Sequence, residues 1–251
     1  MPYNKKLSSI EWGNLYNIEK TAEPLIRSIQ NETFSAQTEE MLKIIKRGDR
    51  TLEIGSGSGQ TSLCMAQRGC HVTLLDFSQS ALDLARYTAE TLNININTVC
   101  HDATCPLPFE AYEFDYIFHA GLFEHFEKDE RISLLKEWNP YCKKMISMVP
   151  NGASLGYRFG KAKRESNGTW AYGRELNIYS QIHEFILSGF DVEHEYTVGE
   201  LRSLNFLDND DAFKMFMVDF WNGEGSKFLS DNCHQGYLLV TSGSNVNYQP
   251  S

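Results

Sequence analysis

Residues 52–60 read Leu-Glu-Ile-Gly-Ser-Gly-Ser-Gly-Gln, so a predicted strand over residues 51–54 runs straight into three glycines and then into a predicted helix over residues 59–69. Glycines at such a turn let the backbone bend sharply and approach a nucleotide-like ligand closely. The spacing is not the dinucleotide fingerprint, because Gln60 stands where that pattern has its third glycine. No Gly-Lys-Ser/Thr follows, which excludes a phosphate-binding P-loop.

Around this turn, short apolar runs alternate with amphipathic stretches as far as about residue 150. This alternation is typical of strand-helix-strand units and predicts an α/β fold with a doubly wound, mainly parallel seven-stranded sheet and helices on both faces. The other predicted strands cover residues 72–76, 95–100, 114–119, 145–149, 191–198 and 236–241. The other predicted helices of this part cover a stretch from Ser78 to about residue 92, and residues 129–139, 177–189 and 209–221.

The domain organisation predicted from these patterns has three parts. Residues 1–46 form an N-terminal helical cap, with helices at about 10–29 and 36–46, and residues 47–243 form the main domain. Within it, residues 151–176 show no clear period and are predicted to be a lid-like insertion, either a loop or a cap. Residues 244–251 are predicted to be a flexible tail.

Charge and composition limit the classes of partner. The formal net charge is −10, which disfavours wholesale binding to nucleic acids or anionic membranes. No apolar run is long enough to span a membrane, and no secretory signal is readable at the first residues. The six cysteines form no Cys-x-x-Cys pair, which favours reduced thiols over a metal site or a disulfide framework. We therefore expect a cytoplasmic protein with no metal.

Four elements occur in order between residues 51 and 150: Glu53 with its glycine turn, Asp76 at the end of the second strand, Asp102 after the third, and the segment 114–126. This arrangement resembles the motifs of the class I S-adenosylmethionine-dependent methyltransferases, which have a Rossmann-like fold. The resemblance implies S-adenosylmethionine as cofactor and S-adenosylhomocysteine (SAH) as product. The residues that it implies for cofactor binding are Glu53, Gly55, Ser56, Gly57, Gly59, Asp76, Phe77, Asp102, Ala103 and His119.

The resemblance also implies a role for several of these residues. Asp76 would accept hydrogen bonds from both ribose hydroxyls, since a carboxylate only accepts and can take two donors. Asp102 would face the adenine amino group, with Phe77 as an apolar wall nearby. Glu53 would anchor the glycine loop or reach the methionine amino group. Each feature also has a purely structural interpretation: the glycines as a tight turn, Asp76 as a helix cap and Asp102 as a turn residue.

The sulfonium methyl group is already activated, so the protein mainly has to hold a nucleophile in line with it, and a base is optional. His119 and His125 are the predicted catalytic residues, because imidazole titrates near neutral pH and both follow the fourth strand. The alternative is that either histidine packs in the wall against Phe123 and Phe126. Of the two, His119 is preferred for contact with the substrate.

The insertion contains a basic stretch over residues 157–174 with five Lys or Arg and one Glu, a net charge of +4. This charge suggests an acceptor that carries phosphate or carboxylate, held by Arg158 or Arg174. The alternative is a solvated loop. With two aromatic residues of the N-terminal helix, the predicted substrate-binding residues are Trp12, Tyr16, Tyr157, Arg158, Trp170, Tyr172 and Arg174.

The expected function is methyl transfer to an oxygen or nitrogen nucleophile of a small, anionic metabolite. Enzymes of this fold that methylate base amines carry an Asn-Pro-Pro-Tyr-like turn after the fourth strand, whereas residues 119–122 here are His-Ala-Gly-Leu. Methylation of a protein, or of RNA at another atom, stays open, although the overall acidity disfavours RNA. A non-catalytic S-adenosylmethionine-binding or scaffold protein is the remaining alternative.

Overall fold

Seven strands form one sheet in the computed structural model, which describes residues 5–209, 211–223 and 235–248. The spatial order is β3-β2-β1-β4-β5-β7-β6, and only the contacts of β7 with β5 and β6 are antiparallel. The predicted mainly parallel, doubly wound sheet is therefore confirmed. The strands are β1 (Arg50–Ile54), β2 (His71–Asp76), β3 (Asn97–Cys100), β4 (Phe114–Ala120), β5 (Cys142–Pro150), β6 (Phe190–Val198) and β7 (Leu238–Asn245).

Helices cover both faces of this sheet, because successive residues of a strand point to opposite sides. Ile117 of β4 and Met145 of β5 join an apolar cluster with α6 and α8, while the next residues, Phe118 and Ile146, join a second cluster with α3, α4 and α5. The helices are α1 (Ser9–Gly13), α2 (Ile18–Gln30), α3 (Ala36–Ile44), α4 (Gln60–Gln67), α5 (Gln79–Leu92), α6 (Lys128–Trp138), α7 (Leu155–Ser166), α8 (Ile182–Leu187) and α9 (Ala212–Asn222).

The N-terminal part differs from the prediction at one point. The helix expected over residues 10–29 is two helices, because α1 ends at Gly13 and α2 begins after Asn17, whose side chain caps it by accepting a hydrogen bond from the Lys20 N–H. The apolar face of α2 packs on α4 and α5 through Ala22, Leu25 and Ile29. The N-terminal residues therefore form a layer over the helices that follow β1 and β2.

The insertion over residues 151–176 is not an irregular loop, because α7 occupies its first half. Two glycines in α7 let it approach the 3₁₀ segment Leu201–Phe206: a Cβ on Gly156 would lie 2.5 Å from Ser203 Oγ, and one on Gly160 would overlap Phe206. This packing outweighs the poor intrinsic helix propensity of glycine, which is why the local pattern predicted a loop.

The C-terminal prediction is corrected as well. Residues 244–248 are not a flexible tail, since β7 continues to Asn245, whose side-chain amide donates to the carbonyls of Asn139 (2.6 Å) and Cys142 (3.0 Å). Residues 249–251 lie outside the described residues. The predicted helix 177–189 is shortened to α8.

Among the described cysteines, Cys64, Cys70 and Cys142 are buried and Cys100 and Cys105 are exposed, all with free thiols. Cys233 lies outside the described residues. Within residues 5–209, 211–223 and 235–248, no helix combines the length and the hydropathy that crossing a membrane requires.

Candidate active site

A cavity of about 380 Å³ opens at the carboxyl ends of β1 to β4. The chain leaves β1 towards β3 on one side and returns to β4 on the other, and ligands of such sheets bind where the strand order reverses in this way. The predicted site residues that line the cavity are Trp12, Tyr16, Glu53, Gly55, Ser56, Gly57, Asp76, Phe77, Asp102, Ala103 and His125. The structure thus brings most of the predicted cofactor residues together.

The glycine turn is left-handed at Gly55 (φ 66°), Gly57 (φ 52°) and Gly59 (φ 70°), a conformation that side-chain-bearing residues rarely adopt. A Cβ on Gly57 would lie 2.5 Å from the Tyr16 hydroxyl. Gly59 does not line the cavity; it caps α4, and a Cβ there would overlap the side chain of Leu74 on β2. Gly59 therefore allows α4 to pack on β2, and its predicted contact with a cofactor is not supported.

Asp76 ties the glycine turn to the end of β2. Its Oδ2 accepts the Gly57 N–H (2.9 Å) and its Oδ1 accepts the Ser78 N–H (2.8 Å). Burial raises the pKa of this carboxyl group, and these backbone hydrogen bonds oppose the shift. A carboxylate has about four lone-pair positions, and the Phe77 N–H acts on this carboxylate as well, so at least one position stays available. Asp76 therefore fixes the N-cap residue of α5, Ser78, and also offers a hydrogen-bond acceptor on the cavity wall.

Glu53, on β1, reaches the first turn of α4. Its Oε2 accepts hydrogen bonds from Ser62 Oγ (2.6 Å) and from the Ser62 N–H (3.3 Å). Burial raises the pKa of Glu53 to about 7, although the hydrogen bonds from Ser62 act in the opposite direction. Both predicted roles are compatible with this placement, because Glu53 holds the strand to the helix and lines the cavity as well.

At the other end of the cavity, Phe77 presents a ring that is 42% exposed, next to Asp102 after β3. Asp102 Oδ1 accepts from the N–H (2.9 Å) and the Oγ1 (2.8 Å) of Thr104, which turns the chain and leaves Oδ2 without either bond. An apolar ring beside a carboxylate is a suitable wall for a planar heterocycle with an amino group.

A further wall of the cavity is formed by Trp12, Tyr16 and His125. The rings of Trp12 and His125 meet edge to face, with centroids 5.2 Å apart. His125 Nδ1 lies 2.8 Å from the Arg174 carbonyl oxygen, which only accepts, so Nδ1 carries the proton and Nε2 keeps its lone pair. Burial lowers the pKa of His125, which favours this neutral form.

His119 is not part of this wall, and its predicted contact with cofactor or acceptor has no support from the position of its side chain. It is fully buried, its ring nitrogens have no hydrogen-bond partner in the described structure, and burial lowers its pKa to about 3. Its ring lies between those of Phe123 (4.0 Å) and Trp138 (6.2 Å). His119 is a neutral packing residue under the site.

Arg158 and Arg174, the basic residues predicted to hold the substrate, do not line the cavity either. Arg174 pairs with Glu127, and Arg158 donates to the Gly152 carbonyl (3.1 Å) and to the Tyr179 hydroxyl (3.0 Å). Of the seven predicted substrate residues, five do not line the cavity: Tyr157, Arg158, Trp170, Tyr172 and Arg174. Tyr172 comes nearest, with its ring 6.4 Å from that of Trp12. The cations of the insertion are engaged with this chain's own acceptors.

Two acidic residues near the site were not predicted to take part. Glu124 is buried next to His125, and Glu175 accepts a hydrogen bond from the Tyr157 hydroxyl. Burial raises the pKa of Glu175 to about 7 and raises that of Glu124 well above its usual value. No spacing signal could have joined residues this far apart in the chain; only the fold of the insertion brings them together.

Residues 51–145 match the model of a methyltransferase domain family. A ubiquinone biosynthesis O-methyltransferase of Coxiella burnetii (strain RSA 493 / Nine Mile phase I) is 36% identical over 90 residues, which are 36% of this chain and 38% of that protein. The match thus spans well under half the length of this curated relative.

Two solved structures are similar over most of the chain. A protein of Pyrococcus horikoshii OT3 has a TM-score of 0.57 at 18% identity, covering 86% of this chain and 91% of that one. The magnesium protoporphyrin IX methyltransferase of Synechocystis PCC 6803, with bound SAH, has a TM-score of 0.54 at 12% identity, covering 88% and 82%. These likenesses show the fold. The family match shows a methyltransferase domain over residues 51–145, the part of the chain that resembles the class I S-adenosylmethionine-dependent methyltransferases.

Proposed function

We propose that this protein transfers the methyl group of S-adenosylmethionine to an oxygen nucleophile of a small molecule. The observation that carries the proposal is the common cavity that Glu53, Asp76 and Asp102 share with the left-handed glycine turn. These groups lie at the carboxyl ends of three neighbouring strands, where the fold places its ligand.

The residues present fit this cofactor. Gly55 and Gly57 line the cavity, and the sides where a Cβ would stand are covered by Leu122 and by the Tyr16 hydroxyl, so their backbone forms part of the cavity wall. Asp76 keeps a lone pair for a ribose hydroxyl, and Phe77 with Asp102 suits the adenine ring and its amino group. The buried Ser56 hydroxyl has no partner among the described residues and adds a polar group at the turn. When bound, the cofactor supplies an activated methyl group on a positively charged sulfur.

The chain's own contribution is to orient the acceptor and exclude water. Trp12 and Tyr16 line the cavity from the N-terminal layer, and the Tyr16 hydroxyl lies against Gly57. His125 presents its unprotonated Nε2 on the acceptor side, where it can accept the proton of a hydroxyl or bind a group that does so. A dry, closed site of this kind holds the nucleophile at attack distance.

Two observations narrow the choice of methyl acceptor, the first between a small molecule and a nucleic acid and the second between oxygen and nitrogen. The basic stretch of the insertion is engaged internally, for example by the pairs Lys163–Asp211 and Arg174–Glu127, and so offers little free charge to phosphates. The O-methyltransferase relative from Coxiella burnetii supports oxygen over nitrogen as the acceptor atom. The anionic acceptor expected from Arg158 and Arg174 loses its support. The cytoplasmic location expected from the sequence stays a prediction.

The proposal is tested by incubating the protein with S-adenosylmethionine and a panel of phenols, catechols, aliphatic alcohols and primary amines, reading SAH formation and product mass. We expect methylated product from one or more of the hydroxyl compounds and none from the amines. Turnover confined to amines would overturn the choice of oxygen. Turnover of a tRNA or peptide pool, with none in the small-molecule panel, would overturn the small acceptor.

A further inference from the structure

Two carboxyl groups and an imidazole meet behind the acceptor side of the cavity. Glu124 and His125 belong to the 3₁₀ turn Phe123–His125 after β4, and Glu175 lies beyond α7 in the insertion. Oxygen or nitrogen atoms from each of the three residues all lie within 4.8 Å of one another. The cluster is therefore compact enough for its members to share one small ligand.

One carboxylate oxygen of Glu124 lacks a hydrogen-bond partner among the described residues. The residue is 2% exposed, and its Oε2 receives no hydrogen bond from any residue that the structure describes. Glu175 is better satisfied, because its Oε2 accepts the Tyr157 hydroxyl. Burying a carboxylate without a compensating donor or cation is costly, so the orphaned oxygen of Glu124 points to a missing positive group.

Lys161 does not supply the positive charge that Glu124 lacks. The Lys161 ammonium pairs with Glu165 Oε1 (3.0 Å) and lies 5.6 Å above the Trp170 ring. Its contact with Glu175 is made to the backbone carbonyl, at 3.5 Å, and not to the carboxylate. Lys161 thus stands beside the cluster without occupying it.

The imidazole of His125 is oriented as a ligand. Its Nδ1 donates to the Arg174 carbonyl, the kind of contact that orients metal-binding histidines, and its Nε2 lies 3.9 Å from Glu124 Oε1. At 3.9 Å these two atoms make no hydrogen bond. Two atoms that each lie about 2.1 Å from one ion are at most about 4.2 Å apart, so a single ion can bind both.

We propose that Glu124, His125 and Glu175 bind one divalent cation at the edge of the cavity, and that this cation also binds the hydroxyl oxygen of the methyl acceptor. Two carboxylates and one imidazole suit Mn²⁺ or Zn²⁺. The cluster borders the cavity, because His125 and Gly121 line the cavity and a Cβ on Gly121 would lie 3.4 Å from Glu124 Oε1. The inference rests on the proposed function and narrows its acceptor to a compound whose hydroxyl can reach the cation.

A hydroxyl bound to a divalent cation loses its proton more readily, which makes its oxygen a better nucleophile. In the transfer, the bond from acceptor oxygen to methyl carbon forms and the bond from that carbon to sulfur breaks. The hydroxyl proton leaves to water, and SAH departs with the electron pair of the broken bond on its sulfur. In this arrangement the His125 Nε2 lone pair serves as a ligand and not as a base.

The test is a titration with Mn²⁺ at pH 8, read by calorimetry and by electron paramagnetic resonance, on the full chain and on Glu124→Gln, Glu175→Gln and the control Asp129→Asn. Asp129 is an exposed acid at the start of α6, outside the cluster. We expect one Mn²⁺ per chain, an affinity weakened by about tenfold or more in the two cluster variants, and wild-type affinity in Asp129→Asn.

Three results would overturn the inference: no saturable binding of Mn²⁺ or Zn²⁺ to the wild type, equal affinity in Glu124→Gln and the wild type, or equal loss in Asp129→Asn. Circular dichroism and thermal melting confirm that each variant is folded. SAH affinity is measured on the same samples. SAH binding without metal binding refutes the cation site alone, whereas absence of both refutes the proposed function too.

Discussion

The cofactor side and the acceptor side of the cavity are built in different ways. The cofactor side consists of strand ends and the turns that follow them: Glu53 and Asp76 lie near the ends of β1 and β2, and Gly57 lies in the turn after β1. The acceptor side combines α1, the turn after β4 and the insertion, which meet only through the fold. The first kind of site can be predicted from local patterns, and the second depends on contacts between distant parts of the chain.

The largest expected effect concerns the glycine turn. Gly59→Ala should lower the free energy of unfolding by about 2 to 4 kcal/mol, because alanine is strained at φ 70° and its Cβ would overlap Leu74. Urea denaturation measures the change. Gly48→Ala is the matched control, since Gly48 has φ 91° but nothing within 4 Å of a Cβ, and should cost only about 1 to 2 kcal/mol. Equal losses would show that close packing of α4 on β2 does not matter.

The next effect is on ligand affinity. Asp76→Ala should weaken SAH binding by about tenfold or more, the scale of a lost hydrogen bond to a charged group at ~1.5 to 3 kcal/mol. Calorimetry measures it, with Asp83→Ala as control because Asp83 lies on α5, outside the cavity, and bonds Arg86 and Gln79. An unchanged affinity in Asp76→Ala would remove this carboxylate from the site.

The two histidines give a direct comparison between cavity wall and core. His125→Leu should lower kcat by about tenfold or more, whether its Nε2 accepts a proton or binds a cation, whereas His119→Leu should keep kcat within about twofold. His119→Leu also removes two buried nitrogens without partners, so its stability should change little. Steady-state kinetics, with an acceptor identified in the panel of hydroxyl compounds, measures kcat for both variants. A larger loss in His119→Leu would restore that residue to the chemistry.

The smallest effect is expected in the insertion. Arg174→Gln should leave KM for the acceptor within about twofold and cost at most about 1 kcal/mol of stability, because Arg174 forms a partly exposed ion pair with Glu127 away from the cavity. Glu127→Gln should have a similar effect, as the other half of the same pair. A several-fold rise in KM in Arg174→Gln alone would return the arginine to the substrate site.

The strands, most helices and the cofactor side were predictable because their signals are local: apolar periodicity, the Ser78 cap of α5 and the glycine spacing. The helix α7 was not, because Gly156 and Gly160 favour a loop locally and make sense only against Leu201–Phe206. The position of His119 was misjudged for a related reason. It lies in β4 next to the last residue of the strand, and the alternation of the strand turns its side chain into the core.

The central claim is that the cavity at the ends of β1, β2 and β3 binds the adenosyl cofactor. Isothermal titration calorimetry of the wild-type chain with SAH, repeated with S-adenosylmethionine, tests it most directly. The account predicts saturable binding of one molecule per chain, with a parallel rise in melting temperature. No heat of binding and no thermal shift at millimolar ligand, in a chain shown to be folded, would contradict it.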